Sequence, residues 1–527
     1  MGQFLHITDI HPDEFYINGG YISTSCHRNV TDEEEDDLHT LRPGRAYGVG
    51  GLYGSVFSIC DSPFSLADAT FDWISKNLIE ELDFVVWTGD NARHDSDNER
   101  PRTQREIEDL NRRIADNFLQ TFTPDRDDPY QRRIPIVPSI GNNDVYPHNI
   151  MQAGPNRILQ HFSDIWSEFI PESQYHTFQH GGYYIIEVIP GKVAVVALNT
   201  LYFYNSNAAV DGCYNEDEPG TDQMDWLEVE LESMRKRKMT VYLSGHVPPA
   251  RKSYTPTCFV RYITIALRYQ DVIVGHLYGH ANIDHFFILS QATLTAEEAR
   301  LEEERAQKKF TSIADTYEYE YDQFHTLGLT AYLLELWKQY QDVPKHAKLN
   351  DYAIVLVSPS VVPTYNPTLR VFTYQLAIEK NSGTPMAVPP ATTLGETTYE
   401  DDDDDYFEDI EKEDATNIYF GDLKKKPKKP KKPKKPKKPH NPPAAPPITF
   451  GFPLSYTQYW VNLTEANLEN KKPEYEVEYR SQEDWGLKDL SVSEWLGLAR
   501  RIIRNDSVRE QYLAWMLVLT DTEDEHN

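Results

Sequence analysis

Short apolar runs alternate with amphipathic stretches along roughly the first 290 residues of the chain. The runs are rich in β-branched residues and read FLHIT, FVVWT, IPIVPSI, YYIIEVI, VAVVAL, TVYLS and DVIVG. Between the first two runs, residues 66–78 place Phe71, Ile74 and Leu78 on one helical face, and the pattern predicts Ser65 as the N-cap. Strands that alternate with such helices predict a layered α/β domain.

The later part of the chain changes character twice. Residues 293–310 carry charges of both signs, which predicts a helix with a solvated face. Apolar content then falls from Asn381 to about Pro447, where an acidic run at 401–405 precedes a repeated Lys-Lys-Pro pattern. Such blocks of like charge predict disorder, with polyproline-II conformation in the basic half. We therefore expect a folded domain over residues 1–380, a disordered insert over 381–447 and a C-terminal segment over 448–527 that packs on that domain.

Two interpretations of the lysine-proline tract stay open. It is a solvated tail that neutralises the neighbouring acidic run, or it is a tether for a polyanion. The second interpretation has a physical basis, because a row of lysines that binds a phosphate chain releases the chain's counterions.

The overall charge restricts the partners of the protein. The 527 residues carry a formal net charge of -31, and the sequence pI is about 4.9. This charge argues against nucleic acid as the main partner, and it suits a protein that stays soluble in an acidic lumen. An anionic substrate would therefore need local basic groups.

Cysteines and glycosylation motifs predict an oxidising compartment. The four cysteines show no C-x-x-C spacing, so two disulfides are favoured over a metal or redox site, although their pairing stays open. No apolar run is long enough to span a bilayer, so we expect any signal or membrane anchor to lie in a precursor segment outside this sequence. The cysteines are Cys26, Cys60, Cys213 and Cys258, and the N-x-[ST] asparagines are Asn29, Asn462 and Asn505.

Polar side chains follow five of the predicted strands, at the point where each strand ends. Because the carboxyl ends of strands in an open α/β sheet converge on one crevice, these groups are expected to meet. One such group arises easily by chance, but five in order do not. Carboxylate, amide and imidazole ligands suit a pair of divalent cations, whose identity among Zn, Mn, Fe, Co and Mg stays open. The groups are Asp9 with His11, then Asp90, Asn142, His246 and His280.

This order, D-x-H, G-D, G-N, G-H and G-H, resembles the calcineurin-like metallophosphoesterases over roughly residues 4–290. The segments GQFLHITDIHPDEFY, WTGDNARHD, GNNDVYPHNI, GHVPPAR and YGHANIDHF are more closely similar to the endopolyphosphatases of fungal vacuoles. The later YWVNLTEANL is similar both to those enzymes and to the acid sphingomyelinases. The resemblance implies a two-sheet α/β sandwich flanked by helices, and a hydroxide that bridges two metals and attacks phosphorus in line.

The resemblance also implies a ligand set for each metal. Asp90 would bridge the two cations, because a carboxylate has two oxygens to share. The usual G-H-x-H ending reads Gly279-His280-Ala281-Asn282 here, so Asn282 would offer an amide oxygen in place of an imidazole. One metal would take Asp9, His11 and Asp90, and the other would take Asp90, Asn142, His246 and His280.

The loop around Asn143 bears on the leaving group. The superfamily usually has G-N-H here, where the histidine can protonate a departing alkoxide, but this chain has asparagine, and an amide gives no proton near pH 7. A phosphate leaving group is far less basic than an alkoxide, so Asn143 favours a phosphoanhydride substrate over an ester. Alternatively, His94 supplies the proton or binds phosphate, or it has only a structural role beside the metal ligands.

The expected function is the metal-dependent hydrolysis of internal phosphoanhydride bonds of inorganic polyphosphate in a vacuole lumen, with Asp90, His94 and Asn143 as catalytic residues. Two alternatives stay open: a phosphodiesterase of the acid sphingomyelinase type, and a non-catalytic scaffold that binds polyphosphate. Cations near the metal loops would bind the substrate's phosphates. These substrate-binding candidates are Arg93, Arg251, Lys252, His148 and His285.

Overall fold

The computed structural model describes residues 1–29, 48–123, 133–306, 329–376 and 450–519. The predicted disordered insert and both of its boundaries lie outside these ranges. The strands are β1 (Gly2–Ile7), β2 (Pro12–Asp13), β3 (Ser62–Pro63), β4 (Phe84–Trp87), β5 (Ile136–Pro138), β6 (Tyr184–Ile189), β7 (Val193–Ala197), β8 (Thr240–Ser244), β9 (Ile273–Tyr278), β10 (His285–Ser290), β11 (Tyr352–Val357), β12 (Thr368–Tyr374), β13 (Pro453–Trp460) and β14 (Glu476–Arg480).

Helices connect these strands and cover the sheets. Most of them are amphipathic, and each buries an apolar face. The helices are α1 (Phe64–Asn77), α2 (Gln104–Phe122), α3 (Arg157–Ile165), α4 (Tyr175–Gly181), α5 (Pro219–Arg237), α6 (Pro256–Arg268), α7 (Gln291–Ala306), α8 (Leu329–Gln341), α9 (Leu463–Leu468), α10 (Val492–Arg504) and α11 (Asp506–Met516).

Two mixed sheets of six strands each form the framework. Their orders are β14-β13-β12-β1-β4-β5 and β10-β11-β9-β8-β7-β6. In the first sheet β1, β4 and β5 are parallel, and in the second β7, β8, β9 and β11 are parallel. The two-sheet α/β architecture that the sequence predicts is therefore confirmed.

Aromatic side chains join the two sheets at their inner faces. The ring of Phe4 on β1 stacks on Phe84 at 4.6 Å and on Phe372 at 4.8 Å, which are its neighbours on the adjacent strands. The ring of Tyr242, on β8 of the other sheet, meets Phe4 edge-on at 5.0 Å. Alternate residues of a strand point to the same face of a sheet, so these rings form one continuous layer between the sheets.

The C-terminal segment is built into the first sheet. Strand β13 pairs antiparallel with β12, which places Tyr456 opposite Phe372. Arg370 on β12 is buried, lies over the ring of Tyr456 at 4.2 Å and pairs with Asp284 at 2.6 Å. Because Asp284 immediately precedes β10 of the second sheet, this ion pair also links the two sheets.

Both of the expected disulfides are present, and the structure supplies the pairing. Cys26 is joined to Cys60, and Cys213 is joined to Cys258. None of the helices in the described ranges is long and apolar enough to cross a bilayer.

The three asparagines of the glycosylation motifs lie in the described part of the chain. Asn29 and Asn505 are exposed, and Asn462 is partly exposed. Asn462 accepts a hydrogen bond from the backbone N–H of Glu465 as the N-cap of α9, and Asn505 caps α11 by accepting from the N–H of Val508. Their glycosylation stays a prediction.

One local prediction on helices is wrong. Helix α1 begins at Phe64 after Pro63, so Ser65 lies inside its first turn and donates its hydroxyl hydrogen to the carbonyl of Leu52 instead of capping the helix. The charged helix α7 has the predicted solvated face, since most of its described residues are exposed, and on its other face Glu297 is buried and pairs with Arg251 at 2.7 Å.

Replacing Phe4 with alanine is expected to lower the free energy of unfolding by about 3–5 kcal/mol, because the truncation leaves a cavity among three packed rings. The midpoint of urea unfolding, followed by tryptophan fluorescence, measures this change. Leu468→Ala is the control, since Leu468 is 83% exposed and its loss should change stability by less than about 0.5 kcal/mol. Equal midpoints for both variants would show that the aromatic layer does not hold the sheets together.

Candidate active site

Polar loops from both sheets meet at the carboxyl ends of β1, β4, β5, β8 and β9. Three of these strands belong to the first sheet and two to the second. The side chains singled out from the sequence therefore come from five loops, and their ligand atoms gather into two groups that share Asp90.

The first group contains Asp9, His11 and Asp90, all of which are buried. His11 donates its Nδ1 hydrogen to the carbonyl of Ala92 at 2.7 Å, so in the neutral ring Nε2 carries the lone pair. That Nε2 lies 3.7 Å from the Asp9 carboxylate and 3.4 Å from the Asp90 carboxylate. Neither Nε2 of His11 nor Oδ1 of Asp9 has a hydrogen-bond partner in the described ranges.

The second group contains Asp90, Asn142, His246 and His280. His246 donates its Nδ1 hydrogen to the carbonyl of Thr88 at 2.8 Å, which in the neutral ring leaves the lone pair on Nε2. This Nε2 lies 3.1 Å from the Asp90 carboxylate and 3.2 Å from Nδ1 of His280. Both ring nitrogens lie 2.8 Å from Oδ1 of Asn142.

The buried carboxylates of the two ligand groups favour positive charge on their neighbours, as the pKa values of the histidines indicate. Burial disfavours the charged form of His246, but Asp90 and Asp9 outweigh burial and raise its pKa to about 9. Burial has the same effect on His11, and there too Asp9 and Asp90 raise the pKa to about 9. Burial and the neighbouring His246 instead lower the pKa of His280 to about 4, so this ring stays neutral.

Divalent metal ions fit this donor set. Buried lone pairs without partners, shared between carboxylates, imidazoles and an amide oxygen, are the ligands that first-row divalent cations prefer. Oδ1 of Asn282 is a further buried acceptor without a partner among the described residues. The structure thus presents a site for divalent metals, and the assignment of each ligand to a particular ion stays a prediction.

Left-handed backbone conformations are concentrated at this site. Five of the seven predicted ligands have a positive φ, an arrangement that costs about 1–3 kcal/mol at a residue with a side chain. Strain of this kind persists only where the surroundings impose it, so the loops are built to present these side chains. The φ values are 51° at Asp9, 42° at His11, 58° at Asp90, 72° at His280 and 56° at Asn282.

Two glycines permit the close packing of the loops. A Cβ on Gly141 would lie 2.0 Å from Oδ1 of Asp90, and a Cβ on Gly279 would lie 2.4 Å from Oδ2 of Asp9. Any side chain at either position would push a carboxylate out of its group.

Asp144 organises the Asp90 loop, and sequence reasoning gave it no role. Its buried carboxylate accepts hydrogen bonds from the backbone N–H groups of Asp90 at 2.9 Å, Asn91 at 2.6 Å, Ala92 at 3.2 Å and Gly141 at 2.9 Å. The one indication of this role in the sequence is that Asp144 stands in the GNND loop beside the predicted ligand Asn142. The sequence does not show that three of its four partners, Asp90, Asn91 and Ala92, lie more than fifty residues away.

Asn143 holds the shared carboxylate. Its backbone N–H donates to Oδ1 of Asp90 at 2.8 Å, and its Nδ2 donates to Oδ2 of Asp90 at 2.9 Å. Asn143 therefore binds both oxygens of the carboxylate, which explains why an amide suits this position.

His94 lies beside the first group and is oriented by a residue that sequence reasoning missed. Its ring stacks on that of His11 at 3.9 Å. Asp61 accepts from Nδ1 of His94 at 2.6 Å and from its backbone N–H at 2.7 Å. Asp61 is buried directly after the disulfide-bonded Cys60, a position that the sequence alone does not relate to His94.

Arg93 does not face the metal ligands, so its predicted role in phosphate binding is wrong. Its buried guanidinium pairs with Glu106 at 2.5 Å. The two terminal nitrogens donate to the carbonyls of His94 at 3.3 Å and Arg100 at 2.7 Å. All three nitrogens are thus occupied within the protein.

His285 is also placed away from substrate. It is buried on β10, where Nδ1 contacts the carbonyl of Ile283 at 3.0 Å and Nε2 contacts the hydroxyl of Tyr332 at 2.6 Å. Both ring nitrogens are bonded inside the fold, which contradicts its predicted substrate contact.

The remaining substrate-binding candidates have different surroundings. Nε2 of His148 lies 3.1 Å from Nδ2 of Asn142, so this ring orients a ligand amide. Burial lowers the pKa of His148 to about 3, and the ring is therefore neutral. Arg251 and Lys252 are exposed, and Arg251 pairs with Glu297. Phosphate binding by these three residues stays a prediction.

Comparison with known proteins agrees with this arrangement. The family model for calcineurin-like phosphoesterases matches residues 2–281. The chain is 42% identical to the endopolyphosphatase of Cryptococcus neoformans over 411 residues, which cover 72% of this chain and 59% of that protein. It is 36% identical to the Neurospora crassa endopolyphosphatase, covering 95% of this chain and 77% of the relative.

The similarity extends over nearly the whole chain in other relatives. The endopolyphosphatase of Saccharomyces cerevisiae is 32% identical over 596 residues, covering 99% of this chain and 86% of the relative. The chain therefore belongs to the calcineurin-like phosphoesterases and, within them, to the endopolyphosphatase family.

Proposed function

We propose that this chain hydrolyses internal phosphoanhydride bonds of inorganic polyphosphate with the aid of two divalent metal ions. The observation that carries the proposal is the pair of ligand groups that share Asp90, whose ligand atoms converge within 4.8 Å of one another. The relatives are endopolyphosphatases, which supports polyphosphate as the substrate.

Asp9, His11 and Asp90 would hold one ion, and Asp90, Asn142, His246 and His280 would hold the other, with Asn282 as a weaker amide ligand. When bound, such ions supply Lewis acidity that polarises phosphoryl oxygens and makes a water molecule more acidic. The ligand types suit Zn, Mn, Fe or Co, and Mg is also compatible with the oxygen donors.

Asp90 is kept ionised by its neighbours. Burial opposes its charge, but His246, His11 and the Nδ2 donor of Asn143 hold its pKa well below the ordinary value. A carboxylate of this kind keeps its negative charge at low pH. This property supports our proposal that the protein works in an acidic, oxidising lumen such as that of a vacuole, where its two disulfides would persist.

His94 is the group that can exchange a proton with the departing phosphate. Asp61 fixes the ring through Nδ1 and so leaves Nε2 as the free nitrogen, and the side chain is about one-third exposed. Asp61 acts through His94 and is therefore a positioning residue.

Asp90→Asn is expected to reduce polyphosphate hydrolysis by more than about 100-fold, since loss of a group that merely supports a ligand already costs about 10- to 100-fold. Gel analysis of long-chain polyphosphate should show intermediate lengths with the unmodified protein, and metal analysis should show lower metal content in the variant. Asp68→Asn, at an exposed carboxylate, is the control. Binding of polyphosphate that Asp90→Asn leaves unchanged, without hydrolysis by the unmodified protein, would support a non-catalytic scaffold instead. Turnover of sphingomyelin without cleavage of polyphosphate would support the phosphodiesterase.

His94→Ala is expected to lower kcat by about 100-fold, in the range of general acid catalysis, and Asp61→Asn by about 10-fold. The double variant should be no slower than His94→Ala, because Asp61 acts only through that ring. Metal content should stay unchanged in all three proteins. If the two effects multiplied in the double variant, Asp61 would have a role independent of His94.

A further inference from the structure

Arg102 is a buried arginine next to the site, and neither the family resemblance nor sequence reasoning gives it a role. It lies between β4 and α2 and is only 4% exposed. Its Nη1 donates to the carbonyls of Arg93 and Asn143, each at 2.8 Å. Nε is buried without a hydrogen-bond partner in the part of the chain that the structure describes.

Two other buried arginines provide a comparison. Arg93 pairs with Glu106 at 2.5 Å, and Arg370 pairs with Asp284 at 2.6 Å. No described carboxylate lies within ion-pair distance of the Arg102 guanidinium, so two carbonyl oxygens are its hydrogen-bond partners. Burial disfavours the charged guanidinium and lowers the pKa of Arg102, against the opposing effect of the charges on Asp95, Asp90 and Asp61.

Arg102 lies next to the ligand groups and contacts them through Asn143. The carbonyl that it binds belongs to Asn143, whose amide and backbone N–H hold Asp90. The charges of Asp95, Asp90 and Asp61 act on Arg102, and Arg102 in turn acts on His148. The guanidinium therefore lies among groups that border the site, on the side of the GNND loop.

We propose that Arg102 binds a phosphoryl group of polyphosphate on the leaving-group side of the scissile bond. This assignment rests on the proposed function. A guanidinium can donate from Nε and a terminal nitrogen to two phosphate oxygens at once. The phosphate anion would form an ion pair with the guanidinium.

In this assignment Arg102 stabilises the negative charge on the departing phosphate, to which Asn143 can give no proton. Water adds its oxygen to the attacked phosphorus, the P–O bond to the bridging oxygen breaks, and the electron pair stays on the departing phosphate. The proton released by water passes to solvent, and the leaving oxygen can take up a proton from His94. Arg102 gives up no proton and binds the negative charge that develops. It would thus favour substrates whose leaving group is itself a phosphate.

Arg102→Gln tests the assignment. We expect kcat/KM for long-chain polyphosphate to fall by about 100-fold, the loss typical when one donor to a developing negative charge is removed. The loss for bis(4-nitrophenyl) phosphate should be at least about 10-fold smaller, because its leaving group is not a phosphate. Binding of tripolyphosphate, measured by calorimetry, should weaken by about 10-fold or more.

Two further variants separate charge from structure. Arg102→Lys keeps the charge without the planar pair of donors and should recover part of the polyphosphate activity. Arg113→Gln removes a partly exposed arginine of α2 that pairs with Asp68, and it should resemble the unmodified protein. Melting temperature and metal content report whether each variant keeps the site intact.

The outcomes distinguish this inference from the proposed function. Suppose that the unmodified protein shortens polyphosphate. If Arg102→Gln then lowers kcat/KM equally for polyphosphate and bis(4-nitrophenyl) phosphate, or keeps full affinity for tripolyphosphate, the role of Arg102 is refuted and the proposed function stands. If the unmodified protein does not shorten polyphosphate, both are refuted.

Discussion

The crowding of buried acceptor atoms around Asp90 is the constraint on which the rest of the site depends. Its carboxylate lies within 3.4 Å of two imidazole nitrogens and accepts two hydrogen bonds from Asn143. Carboxylates, lone pairs and an amide oxygen held this closely, away from water, are stable only with positive charge between them. The loops enforce the arrangement with left-handed backbone at most of the ligands, and Asp144 fastens two of the loops together.

Such an arrangement requires a rigid support, because the ligands come from both sheets. Asp90 follows a strand of the first sheet and His246 a strand of the second, so a small shift of one sheet against the other would separate the nitrogen from the carboxylate. The aromatic layer around Phe4 and the buried pair of Arg370 with Asp284 both connect the sheets. Residues from beyond the low-complexity insert belong to the same support, since Tyr456 packs on Arg370.

The sequence predicts the ligands well because their placement follows from topology. A polar residue at the carboxyl end of a parallel strand must lie at one edge of the sheet, so the order of motifs was enough to gather Asp90, Asn142 and His246. The supporting residues depend on contacts that no local pattern encodes. Asp61 meets His94 across 33 residues, and Arg102 meets Asn143 across 41 residues.

The two neighbouring arginines show why proximity in sequence misleads. Arg93 stands three residues after Asp90 and was the better candidate for phosphate, but Glu106, one turn into α2, neutralises it. Arg102 is further from every motif, yet its Nε has no hydrogen-bond partner among the described residues and no described carboxylate lies within ion-pair distance of it. Whether a cation is available to substrate depends on its carboxylate partner, and only the structure identifies that partner.

Asn143 and Arg102 together account for the departure from the usual G-N-H loop. A histidine side chain in place of Asn143 has ring nitrogens at different distances from the backbone, and the amide donor to Asp90 would be lost with the substitution. For a substrate with an alkoxide leaving group, a histidine would still be favoured, because the alkoxide needs a proton that the amide cannot give. A departing phosphate is a weaker base than an alkoxide and depends more on a nearby cation than on a proton. The amide of Asn143 can therefore hydrogen-bond to Asp90, while the guanidinium of Arg102 binds the leaving phosphate.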